Sequence, residues 1–245
     1  MRDKVITKKI LVLQHIEVEY LDNIQKFLNI NKKKIVIIKL FENQKIPNNL
    51  KFFSMMIVLG GPMDTWMEDK FPWLKDEKKK IKEFAIELEK PFLGICLGCQ
   101  LFGEVLGGKI VKSSKKEIGF HEVLTNPETN NDKIFYKLPK NFNVFQWHSY
   151  EVKDIENPFV KVLASSKYTK IQLFRYKNHA YGMQFHIEID NFSIKKWLAN
   201  KKYKDELTHQ LGKSAEKDLI NRSSMEISNI ENICKMMMTN FKKIM

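Results

Sequence analysis

The chain has 245 residues, 43% of them hydrophobic and 29% charged, enough for one large α/β domain or two small ones. No apolar run approaches the ~20 residues of a membrane helix, and the charged start Met1–Val5 has no apolar stretch behind it. Neither a membrane protein nor a secretory leader is therefore expected, and the chain reads as cytoplasmic. The net charge of +13 invites a nucleic-acid reading. Only Arg2, Arg175 and Arg222 are arginines, however, and the lysines are scattered in groups such as Lys32-Lys33-Lys34 and Lys78-Lys79-Lys80. Without a clustered basic face or the forked guanidinium that reads phosphates and base edges, no nucleic-acid partner is expected.

In chain order, the run from Lys9 to Gln14 predicts a first buried strand. Tyr20 to Leu28 has helical spacing. Lys34 to Lys39 predicts a second buried strand and Met55 to Leu59 a third, cut off by Gly60-Gly61-Pro62. Pro72 to Leu88 repeats with a helical period and opens on proline, as helices often do. Pro91 to Ile95 is a fourth strand, and Leu97 to Leu106 a helix stopped by Gly107-Gly108. Strands alternating with helices predict a parallel sheet covered on both faces, with active residues at the carboxyl ends of strands. From Lys109 to Gln184 the pattern is more strand-like. Phe142–Phe145, Val160–Ala164, Ile171–Arg175 and Ala180–Phe185 are expected strands of an antiparallel or mixed extension. From Ser193 on the pattern is helical, with the Met236-Met237-Met238 run read as core filler rather than a partner surface.

Three cysteines, Cys96, Cys99 and Cys234, are too few and too odd for a disulfide scaffold and suit a reducing compartment. Cys96 lies where the fourth strand turns into a helix, in Gly94-Ile95-Cys96-Leu97-Gly98-Cys99-Gln100. Glycine on both sides permits a sharp turn that lifts a side chain above the sheet. The helix N-terminus favours negative charge, which suits a thiolate, and its free N–H groups can hold an oxyanion. Cys96 and Cys99 also form a C-x-x-C, compatible with a redox pair. A zinc site lacks a second pair of ligands, so no metal is expected. A thiol nucleophile needs a base with an orienting partner. His186 and Glu188 share a side if the strand before them continues, and His148 is the rival base. His15 reads as a polar strand cap, and His121, His179 and His209 as solvated or locally bonded.

Taken together, Gly60-Gly61-Pro62, Gly94–Gln100 and Gly182-Met183-Gln184-Phe185-His186-Ile187-Glu188 resemble, in order, the three signatures of class I glutamine amidotransferases. Trp147–Val152, Phe102–Gly108 and Glu117–Val123 look like segments of the same family, and the match covers roughly Lys9 to Asp190. Stand-alone proteins like the glutaminase domain of GMP synthase, and plant γ-glutamyl peptidases, are similar to it.

The resemblance implies a flavodoxin-like three-layer α/β sandwich with a mostly parallel sheet, spanning residues 1–190; the tail, 191–245, carries no family signature and is read from its pattern as a helical extension packed on the same domain. It implies Cys96 as nucleophile, His186 as base and acid, and Glu188 as orienter. The N–H groups of Gly61 and Leu97 would form the oxyanion hole, and Gln100, Gln146, Trp147 and Ser149 would line the substrate site. The implied reaction is hydrolysis of a γ-glutamyl amide through a thioester, with no cofactor. Glutamine is the expected substrate, with its ammonia either passed to a separate synthase subunit or simply released. The alternatives are a γ-glutamyl peptide or alkylamide as substrate, and a non-catalytic or redox-regulated member of the fold. Two departures stand out: Ile187 replaces the family's proline between His186 and Glu188, and Cys99 stands where Ala, His or Met is usual.

Overall fold

The computed structural model describes residues 9–29 and 31–245; the charged start Met1–Val5 lies outside them. Among the described residues nine strands form a single sheet: β1 (Lys9–Gln14), β2 (Ile35–Lys39), β3 (Phe53–Val58), β4 (Phe92–Ile95), β5 (Lys109–Thr125), β6 (Asn141–Lys153), β7 (Val160–Ser165), β8 (Leu173–Tyr176) and β9 (Ala180–Met183). Their order is β2-β1-β3-β4-β9-β8-β7-β5-β6. Every pairing from β2 to β9 is parallel, and every pairing beyond is antiparallel. The parallel half is the flavodoxin-like unit, and the antiparallel strands are its extension.

The helices are α1 (Asp22–Leu28), α2 (Trp73–Ile81, continued by a π-helical turn, Lys82–Glu87), α3 (Leu97–Val105), α4 (Asn191–Ala199), α5 (Lys201–Leu211) and α6 (Ala215–Phe241). Alternate residues of the central strands feed two cores, because successive strand side chains point to opposite faces. Leu11, Leu13, Met56, Val58 and Phe92 pack with Leu74, Ile81, Phe84 and Phe102 of the α2–α3 layer. Ile10, Val12, Met55, Ile57, Leu93 and Ile95 pack with Ile24, Trp197, Ile230 and Met237 of the α1, α4 and α6 layer. This is the three-layer sandwich. Met237 and Met238 are core, as expected. Among the described residues no helix is long and apolar enough to cross a membrane.

Two expectations change. The second strand, read as buried, is only half-covered along its length: it is an edge strand paired to β1 alone, and an apolar run does not distinguish edge from centre. The strand leading to His186 does not continue. β9 ends at Met183, and His186 instead makes an isolated antiparallel bridge to Phe145 on β6.

Candidate active site

The carboxyl ends of β1, β3 and β4, the chain after β9 and one face of α5 meet around a cavity of about 400 Å³. Cys96 stands at the N-terminus of α3 with φ 50° and ψ −102°, a left-handed conformation that costs a non-glycine residue of order 1–3 kcal/mol and persists only where the surroundings enforce it. The enforcement is close packing. A Cβ on Gly94 would lie 2.4 Å from the Gly98 carbonyl oxygen, and one on Gly98 would lie 2.3 Å from the Val58 carbonyl oxygen. Glycine at both positions lets α3 press onto β3 and β4, and the Cys96 N–H donates to the Met183 carbonyl at 2.8 Å. Leu97, as the first helical residue, has no intrahelical acceptor for its N–H. Gly61 lines the same cavity as Cys96.

His186 is 1% exposed. Its Nδ1 lies 2.5 Å from Glu188 Oε1, and its ring meets Trp197 edge-on at 4.9 Å. Burial pulls the imidazole pKa down, but the Glu188 charge and hydrogen bonds with Cys96 and Glu188 outweigh it, leaving His186 well above its usual range. Its backbone is clamped by a pair of hydrogen bonds to Phe145, 2.8 Å and 3.3 Å, and Ile187 is fully buried. A rigid backbone at this point thus exists without the proline.

The structure brings Gln100, Trp147, His148 and Ser149 to the cavity as well. Gln100 Nε2 donates to the Tyr150 carbonyl at 3.0 Å and to Gln184 Oε1 at 3.1 Å. Gln146 is fully buried and is not a wall of the cavity, which corrects its expected substrate contact; its side chain lies inside the protein behind that wall. His148 is braced by the buried Glu117, with Nε2 3.3 Å from Oε2. Cys99 faces away from the site. It is fully buried among Phe84, Phe92 and Phe102, on the opposite side of the sheet from the core that Cys96 borders, and burial pushes its thiol pKa far up. All three cysteines are free. Among the described residues no group of three His, Cys, Asp or Glu is placed to hold a metal.

Several residues at the site were not singled out from the sequence. Lys202, Tyr203 and Glu206 of α5 all line the cavity. Glu206 accepts from Trp147 Nε1 at 3.0 Å and Ser149 Oγ at 3.4 Å, and Lys202 donates to the Pro62 carbonyl at 2.7 Å. Glu19 lines it too, takes a hydrogen bond from Tyr203 and leaves Oε2 buried without a partner. Burial raises the Glu19 pKa despite the nearby His186 charge. His15, read as a polar strand cap, is fully buried between Gly60 and Glu77. His15 and Glu19 follow a parallel strand's carboxyl end, and that position was a signal available in the sequence. The α5 residues carried none.

The family model of class-I glutamine amidotransferases matches residues 15–204. The chain is 35% identical over 137 residues to one subunit of the glutamine-hydrolyzing GMP synthase of Picrophilus torridus, covering 56% of this chain and 68% of that one. It is 34% identical over 137 residues to the glutamine-hydrolyzing GMP synthase of Thermosipho melanesiensis, again 56% of this chain but about a quarter of that longer protein (24%). A glutamine amidotransferase from Thermotoga maritima superposes with a TM-score of 0.83 at 28% identity, over 96% of this chain and 98% of that one. One from Methylobacillus flagellatus gives 0.83 at 19% identity, over 96% and 94%, and shows the fold alone. With a strained cysteine over a parallel sheet, a His–Glu pair against it, and a family match across most of its length, the chain belongs to the class-I glutamine amidotransferases.

Proposed function

We propose that the protein hydrolyses a γ-glutamyl amide through a thioester on Cys96. The observation that carries this reading is Cys96, held at positive φ at the strand-to-helix turn and lining one cavity with His186, an imidazole whose Nδ1 is held by Glu188. Cys96 Sγ attacks the γ-carbonyl carbon, and the carbonyl oxygen becomes an oxyanion facing the Gly61 and Leu97 N–H groups. The C–N bond then breaks as His186 gives its proton to the departing amine. Water, losing a proton to His186, adds to the thioester, and glutamate leaves as the thiol is restored. Glu188 keeps the Nδ1 proton in place and supports the imidazolium. Gln100, Trp147 and Ser149 form the wall for the glutamyl half, with 191–245 as an extension of the same domain that completes it.

Glutamine is the first substrate of this reading, with the ammonia passed to a separate synthase chain, as the name of the Picrophilus relative suggests. A γ-glutamyl peptide is the second, favoured by Lys112, Lys116 and Lys202 around the cavity, cations suited to a carboxylate on the amine side. The free cysteines fit a reducing cytoplasm. The test is release of glutamate from glutamine, glutathione, γ-glutamyl-aminobutyrate and γ-glutamyl-methylamide by wild type, Cys96→Ser, His186→Ala and His148→Ala. Loss of turnover in the first two variants, with a raised KM in the third, supports the assignment. A His148→Ala variant that loses more kcat than His186→Ala would refute it.

A further inference from the structure

We propose that His15, clamped by Glu77, is a positioning residue that locks the Gly60–Gly61 peptide with its N–H toward the reaction centre. Both side chains are fully buried. His15 Nδ1 lies 2.8 Å from the Gly60 carbonyl oxygen and Nε2 lies 2.9 Å from Glu77 Oε1. Trp73, one turn before Glu77 on α2, stacks on the imidazole with ring centroids 5.5 Å apart, so the ring has one orientation.

The proton positions follow from the partners. A carbonyl oxygen only accepts, so Nδ1 carries a hydrogen and donates it to Gly60. Nε2 faces Glu77 Oε1 on the other side of the ring, so that contact leaves the Nδ1–H on Gly60. Burial opposes charge on His15, but the Glu77 charge, its hydrogen bond, the Gly60 carbonyl and the Glu19 charge raise the imidazole above its usual 6.5.

In a trans peptide the C=O and the following N–H point in opposite directions, and the described residues contain no cis peptide bond. With the Gly60 carbonyl drawn to His15, the Gly61 N–H faces the other way, on the side of the cavity that Gly61 lines with Cys96. A latch is needed because both residues of this peptide are glycine. A Cβ on Gly61 would stand 2.8 Å from His15 Cβ, and one on Gly60 would stand 2.3 Å from Glu19 Oε2. Two adjacent glycines make a peptide that turns over at little steric cost. Turned over, it would present its carbonyl oxygen to the developing oxyanion. Glu77 lies 62 positions from His15, so α2 holds the loop after β3 through the residue that ends β1.

This inference rests on the hydrolase reading above. The experiment compares wild type, His15→Leu, which has no donor, and His15→Asn, whose amide N–H replaces Nδ1–H. Each is assayed for γ-glutamyl amide turnover and for the rate at which iodoacetamide alkylates Cys96, located by peptide mapping. Alkylation displaces iodide at a saturated carbon and makes no oxyanion. His15→Leu should lower kcat by about 10²–10³-fold, the loss seen for one oxyanion donor, with KM and alkylation rate near wild type. His15→Asn should recover much of the kcat. A His15→Leu variant with near wild-type kcat, or one losing alkylation in proportion to turnover, overturns the latch. A wild type that alkylates at Cys96 yet hydrolyses none of the amides overturns the hydrolase reading instead.

Discussion

Replacing Gly98 by alanine sets two opposite effects against each other in one residue. Gly98 lies in the first turn of α3, where helix propensity alone favours alanine by about 1 kcal/mol. The structure leaves no room for the methyl. Its carbon would stand 2.3 Å from the Val58 carbonyl oxygen, 2.8 Å from Val58 Cγ1 and 2.9 Å from Val58 carbonyl carbon. Two of these three are backbone atoms of a buried central strand, so relief requires α3 to retreat by the better part of an ångström. Overpacking of this kind costs about 1–3 kcal/mol, so the net effect is destabilising or at best neutral. In a chain of this size each kcal/mol lowers Tm by about 2–4 °C. Retreat of α3 also moves Cys96, its N-cap residue, and a displacement of about 1 Å in a reacting group costs of order 10²-fold in rate. Gly98→Ala should therefore lower Tm by a few degrees and kcat by a much larger proportion, measured by calorimetry and glutamate release. A Tm above wild type with unchanged kcat would refute the close-packing argument and leave helix propensity in charge.

Mild oxidant should inactivate wild type and Cys99→Ala alike, with no Cys96–Cys99 disulfide by mass spectrometry, because Cys99 is buried in the opposite core; a reversible disulfide would contradict that placement. Glu206→Ala frees Trp147 and Ser149 and should raise KM for the γ-glutamyl substrate roughly tenfold, the scale of a hydrogen bond to a charged group, while kcat changes little; a fall confined to kcat would give Glu206 a different role. The pKa of His186 is raised in the folded state, so the stability it contributes is complete below its unfolded value of about 6.5 and is lost as pH rises through the folded value. Urea titrations of wild type and Glu188→Gln should diverge most near pH 6 and converge in the alkaline range, and a gap that widens with pH would reverse the sign.

The alternation of strands and helices, the elbow at Cys96 and the order of the Gly60-Gly61-Pro62, Cys96 and His186–Glu188 segments are legible in the chain alone. These are local properties: apolar period, glycine at a turn, and side chains two residues apart. Even the His186–Glu188 contact was legible although its backbone is not the expected strand, because a short separation keeps two side chains within reach in several conformations. Tertiary structure alone decided what surrounds that frame. It set β2 at the sheet edge, turned Cys99 into the α3 core, and took Gln146 out of the substrate wall. It also brought Glu206 against Trp147, 59 positions away, and Glu77 against His15. A lysine, tyrosine and glutamate on a largely polar helix look the same whether the helix faces solvent or a cavity. Only the packing of α5 across the carboxyl ends of the strands separates the two, and that packing arises from residues far apart in the chain, which no local pattern encodes.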